Sequence, residues 1–115
     1  MTRPSVAHPV GNAPAQRKGF RPPRPDRRPK DPASQAARLY DQGKPREALH
    51  VASEALRREP SNARLWDVGA AAAFALGLFA DAERFWTVAI RLDPNSADAH
   101  SNLGTLYAPW RARRG

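Results

Sequence analysis

The stretch "RLDPNSADAHSNLG", residues 91–104, decides how this chain folds. An alanine-rich helical pattern stops at Asp93-Pro94-Asn95, and another begins at once behind Ser96. The same punctuation stands 34 residues earlier, in "RREPSNARLWDVG", residues 57–69. In both places a proline removes a backbone donor and pushes its predecessor toward extended conformations, which ends one helix. A side-chain acceptor then follows to cap the next. A fixed period of this kind marks one supersecondary unit used repeatedly.

Working outward, the punctuation predicts five helices. Asp31-Pro32 reads as an N-cap with proline in the first turn, and Gly43 supplies the stop of a helix over about 32–42. A second helix, near 45–58, begins at Pro45 and ends before Glu59-Pro60. Ser61-Asn62 caps a third over about 63–76, which Gly77 terminates. A fourth runs over about 79–92 to Asp93-Pro94. Ser96 caps a fifth over about 97–108, which Pro109 is expected to end.

The period holds position by position. Gly43 and Gly77 are 34 apart, as are Ala48 and Ala82, Ala55 and Ala89, Leu56 and Ile90, and Pro60 and Pro94. Asn62 pairs with Ser96, Ala63 with Ala97, Ala70 with Gly104, and Ala73 with Tyr107 at the same spacing. With Trp66, Ala70, Gly77, Ala82, Trp86, Ala89 and Pro94 in its central unit, the chain resembles the tetratricopeptide repeat family of helix–turn–helix arrays. The expected fold is all-α, with about two and a half such repeats stacked as a short α-solenoid over residues 32–108. Small Ala70, Ala82 and Ala89 allow neighbouring helices to approach, and Trp66, Phe79, Phe85 and Trp86 are placed to fill the space around them.

The chain departs from that pattern in several places. Pro32 and Gln35 stand where a large aromatic and a leucine are usual, Gly69 where leucine is usual, and His100 at an aromatic position. Stacked repeats bury a continuous core by covering one another, and about three are normally needed. The fifth helix is therefore either a cap, the end of a truncated array, or a pairing surface for a second copy. In the last case Leu103, Leu106, Tyr107 and Trp110 would supply an apolar face.

Charge divides the chain differently. Residues 1–31 carry eight Lys or Arg against Asp26 and Asp31, whereas residues 32–108 carry eight basic and nine acidic side chains. Residues 109–115 add Arg111, Arg113 and Arg114, so the net +8 belongs to the two ends. Eight of the twelve prolines lie within residues 1–32. A segment so rich in proline and poor in apolar side chains is expected to be a disordered or locally polyproline-like basic tail. Its arginines suit nucleic-acid phosphates or an anionic membrane surface. Pro22-Pro23-Arg24-Pro25-Asp26-Arg27 also fits the P-x-x-P-x-R pattern that SH3 domains recognise.

No cysteine is present, which excludes disulfide and thiolate chemistry and fits a cytoplasmic location. The N-terminal residues show no apolar run of signal-peptide character. The longest apolar run, residues 68–80, has thirteen residues, short of the roughly 20 that span a membrane. His8, His50 and His100 lack ligand spacing, so neither a metal nor a cofactor is expected. Asp81 and Glu83 suit a helix start rather than acid–base work. "GKPREA", residues 43–48, lacks the glycine and the Lys-Ser/Thr pair of a phosphate loop. Nothing here reads as an enzyme.

The resemblance implies a protein-binding role instead. In such arrays the first helix of each pair lines a concave groove that holds a partner's peptide or helix. Carried over, that groove comprises Ala37, Tyr40 and Asp41, then Arg64, Asp67, Ala71, Phe74 and Ala75, then Asp98, Ser101 and Thr105. Tyr40 and Phe74 could equally pack between helices. The clamp that some family members use for acidic chaperone C-termini is not expected, because its positions carry Ala33, Ala37, Val68, Asp98 and Asn102. Only Asn102 could donate to a carboxylate. Two alternatives to a peptide-binding adaptor remain: a nucleic-acid or ribosome-associated factor working through the basic tail, and a self-assembling module pairing through its C-terminal helix.

Overall fold

The structure is a computed structural model that describes residues 19–24 and 31–114, with side chains through Tyr107. Five helices follow in order: α1 (Pro32–Asp41), α2 (Pro45–Arg58), α3 (Ala63–Ala75), α4 (Phe79–Leu92) and α5 (Ala97–Arg114). No strand occurs among the described residues. Each helix packs on the next, and α1 also reaches α3. No helix among the described residues is long and apolar enough to cross a membrane.

The boundaries have the local causes that the residues announce. Asp31 caps α1 by accepting from the Ser34 amide at 3.3 Å, with Pro32 in the first turn. Asn62 accepts from the Arg64 amide at 3.1 Å, and the Ser96 hydroxyl accepts from the Ala99 amide at 3.2 Å. Such caps satisfy amides that a helix start otherwise leaves without partners.

The same hydrogen bonds recur with a 34-residue offset. Gly43 donates to the Tyr40 carbonyl and Gly77 to that of Phe74, both at 3.0 Å; Lys44 donates to Leu39 at 2.9 Å and Leu78 to Ala73 at 2.8 Å. These pairs close α1 and α3 with the same left-handed turn, φ +80° at Gly43 and +81° at Gly77, which glycine adopts without a Cβ penalty. Trp66 Nε1 donates to the Pro60 carbonyl at 2.8 Å, and His100 Nε2 reaches the Pro94 carbonyl at 2.9 Å. His100 thus takes the tryptophan position and makes the tryptophan's bond, in the tautomer protonated at Nε2.

α5 differs from expectation. Its backbone passes Pro109 and continues to Arg114 rather than stopping. A proline in a helix interior removes one backbone bond and costs about 3 kcal/mol, a penalty rather than a prohibition. Three turns already formed ahead of it carry the helix through.

The core lies along α3 and α4. Ala70, Ala71, Ala73, Phe74, Ala82, Trp86 and Ala89 form one buried cluster that extends to Ala99 and Leu106 of α5. Trp86 and Phe74 are the largest fully buried side chains. Phe85 is half-buried and meets Trp66 edge-on at 5.3 Å, while Phe79 stays partly exposed with its ring 5.7 Å from Phe74. Gly69 lies directly under Phe85: a Cβ there would come within 2.8 Å of the ring. The ring occupies the space that a larger side chain at this position would need.

Gly69→Leu is therefore expected to destabilise the fold by about 1–3 kcal/mol through overpacking, read as a lower urea midpoint. The cost should shrink in a Phe85→Ala background. Equal costs in both backgrounds would show that the ring is not what excludes the side chain.

Candidate functional site

Helices α1, α3 and α5 contribute to one face, and a short extended segment crosses it. Residues 19–24, part of the tail set apart by composition, lie against α1, α3 and α5. The remaining tail positions, 1–18 and 25–30, fall outside the described residues, and with them the second half of the Pro22–Arg27 motif. Two prolines, Pro22 and Pro23, hold the segment extended and leave Arg21 as the only backbone donor over residues 21–23.

That donor and its carbonyl are both used. The Arg21 amide donates to Asn102 Oδ1 at 2.7 Å, and Asn102 Nδ2 donates back to the Arg21 carbonyl at 3.0 Å. Asn102 is fully buried, so both halves of its amide need partners, and the segment supplies them. Further along, the Ser101 hydroxyl donates to the Gly19 carbonyl at 3.2 Å and Arg64 donates to the Arg24 carbonyl at 2.7 Å. The second arm of the Arg64 guanidinium pairs with Asp31 at 2.9 Å, so one side chain ties the segment to the cap of α1.

The segment's side chains are matched too. The Phe20 ring packs 5.4 Å from Phe74 and 6.3 Å from Tyr40, residues themselves 34 apart and equivalent in the period. The Arg21 guanidinium pairs with Asp98 at 3.0 Å in an exposed contact. Thr105 borders Gly19 and donates its own hydroxyl to the Ser101 carbonyl.

Of the residues expected on this face, Tyr40, Arg64, Phe74, Asp98, Ser101 and Thr105 are brought together around one segment. Ala37 and Ala71 are instead buried in the helix packing, Ala75 is half-buried, and Asp41 is exposed at the end of α1. Phe74 does two jobs: its ring meets Trp86 at 5.5 Å in the core and Phe20 on the surface. In the sequence Asn102 reads only as one position of a clamp that is not expected, and Phe20 and Arg21 read only as tail. Arg21 meets Asp98 and Asn102 across 77 and 81 residues of sequence, and Phe20 meets Tyr40 and Phe74 from outside the repeating region, so no periodicity links them.

Asp67 stands just behind this face. Its Oδ1 accepts from Trp86 Nε1 at 2.9 Å. Burial pushes the Asp67 carboxyl from its ordinary 3.8 to about 6, with the Trp86 bond pulling the other way, nearby Asp98 adding to the rise and Arg64 opposing it. The Tyr40 hydroxyl is also buried, with no described hydrogen-bond partner, and burial raises its pKa. Among the described residues no group of three or more His, Cys, Asp or Glu side chains could hold a metal ion.

The C-terminal apolar residues are largely engaged within the chain. Leu106 is buried, Leu103 packs on the core, and the Tyr107 hydroxyl donates to Glu83 at 2.7 Å. The Trp110 side chain lies outside the described residues. Comparison with protein-family models, with curated proteins and with solved structures finds no match to this chain.

A carboxyl whose folded pKa is raised contributes stability that is complete below its unfolded value and is lost as pH rises through the folded one. For Asp67 that window runs from 3.8 to about 6. Asp67→Asn keeps the acceptor for Trp86 but cannot ionise. Relative to wild type it is expected to gain about 1–3 kcal/mol between pH 4 and 6.5, with no further gain above. Urea unfolding of both proteins across that range checks this, and a constant difference would rule it out.

Proposed function

We propose that this protein is a non-catalytic adaptor whose α1–α3–α5 face is a groove for an extended peptide from a protein partner. The observation that carries the reading is the two-way hydrogen bonding of Asn102 to the backbone of residue 21. A side chain that pairs with both an amide and a carbonyl recognises an extended main chain whatever its sequence, and flanking side chains then add selectivity. Ser101 and Arg64 hold two further carbonyls along the same line.

In this reading the helices are a short stack of tetratricopeptide-like hairpins. Support comes from the turn, cap and Trp66/His100 hydrogen bonds that repeat at 34 residues. The array supplies a rigid floor, and the functional side chains sit on its regularly spaced first helices, where relative positions are set by packing rather than by loops.

The test selects binders for the full chain from a displayed library of short peptides, then measures their affinity for two variants. Asn102→Ala removes both backbone bonds and is expected to weaken the selected peptides about 5- to 150-fold, the equivalent of 1–3 kcal/mol. Asp98→Lys changes an exposed charge on the same face and should alter the preferred peptide charge without affecting the melting temperature. Phe74→Ala is a poor probe, because it also opens the core beside Trp86. Selected peptides that bind all three proteins equally would place recognition elsewhere and defeat the adaptor reading of this face.

A further inference from the structure

The occupant of the groove is the chain's own segment, and its side chains fit what they meet. Phe20 joins the main apolar cluster by packing on Tyr40 and Phe74. Directly after it, Arg21 faces the carboxylate of Asp98. Before it, a Cβ at Gly19 would come within 3.2 Å of the Thr105 hydroxyl, so a small residue belongs there. The order small–aromatic–arginine is thus read by three different features of the face.

The hold is built to be released. Its ion pair is exposed on both sides and so contributes little and is screened by salt. Phe20 is half-buried, unlike Phe74, which is enclosed completely. Attachment to α1 adds to these contacts, since a short tether gives an intramolecular group an effective concentration on the order of millimolar. An external ligand must outcompete that.

We propose that residues 19–24 are an intramolecular ligand, and that the groove's partner is a basic extended peptide with the same small–aromatic–arginine order, which binds by displacing them. The inference rests on the peptide-binding reading above and adds to it the chemistry of the partner and a threshold for binding. Acidic or purely aliphatic peptides lack a group for Asp98 or for the Phe74–Tyr40 surface, so they stay below that threshold.

The experiment uses the full chain and a fluorescent peptide with the sequence of residues 19–24. Polarisation is measured against wild type, against Phe20→Ala/Arg21→Ala, and against that double variant with Asn102→Ala added. Melting curves confirm that each protein is folded. The double variant is expected to bind the peptide about tenfold or more tightly than wild type, because its own segment no longer competes. Adding Asn102→Ala should abolish the gain, and replacing the peptide's first arginine, the one that corresponds to Arg21, with glutamate should do the same. Equal binding to wild type and the double variant overturns the proposal. So does a failure of this peptide to bind the double variant when library-selected peptides of other chemistry do, an outcome that leaves the adaptor reading standing. Failure of every peptide class defeats the adaptor reading itself. A wild-type mass that doubles with concentration, and reverts to monomer on Phe20→Ala, would mean that the segment is exchanged between copies, which also overturns the proposal.

Discussion

Close packing around α3 is the constraint from which the rest of the structure follows. From Val68 to Phe74 every residue of this helix is buried, so it presents no solvent face over two turns. A helix enclosed in this way must be touched on several sides at once, and α1, α2 and α4 all touch it. Alanines at 70–73 let those neighbours approach, and helices at such distances leave no room for many large side chains. The few that are present, Trp86, Phe74 and Leu65, therefore fill defined volumes. Gly69 under Phe85 is the extreme of the same rule: the smallest residue sits where an aromatic ring arrives from the neighbouring helix.

Phe74 links that packing to the candidate site. One edge of its ring belongs to the core, against Trp86, and another part meets Phe20. The surface under residues 19–24 is therefore continuous with the core rather than laid on top of it. The ring that Phe20 meets is held by the same contacts that hold α3 to α4. Packing in the core and contact with the crossing segment, which compete as explanations when only the residue type is known, are both made by this one ring.

Electrostatics gives the face its sign. The helical region is close to neutral, but Asp98 and the partly buried Asp67 stand on or just behind the groove, and Arg64 is occupied with Asp31 and the Arg24 carbonyl. A basic segment is matched to such a surface, and the most basic part of the chain lies immediately ahead of α1. Composition alone assigns the tail's charge to phosphates or to solvent. Arg21 instead meets a carboxylate of its own chain.

Much of the helical framework was legible in the sequence because its causes are local. Asp31, Asn62 and Ser96 cap the helices that follow them, and Gly43 and Gly77 close the helices that precede them; each acts within a few residues, where spacing along the chain equals spacing in space. Tyr40, Arg64, Phe74, Asp98, Ser101 and Thr105 are expected on one face only through the resemblance to tetratricopeptide arrays, not from the period itself. Pro109 misled because a local penalty was read as a stop, whereas a helix already formed can carry one missing bond. What the tertiary structure alone decided is the occupant of that face. Phe20 and Arg21 look like ordinary members of a proline-rich tail, and Asn102 looks like an isolated polar residue on a helix. Their meeting depends on the folded array bringing α1, α3 and α5 to one side, and a contact between residues about 80 apart has no signature in composition or in a 34-residue period.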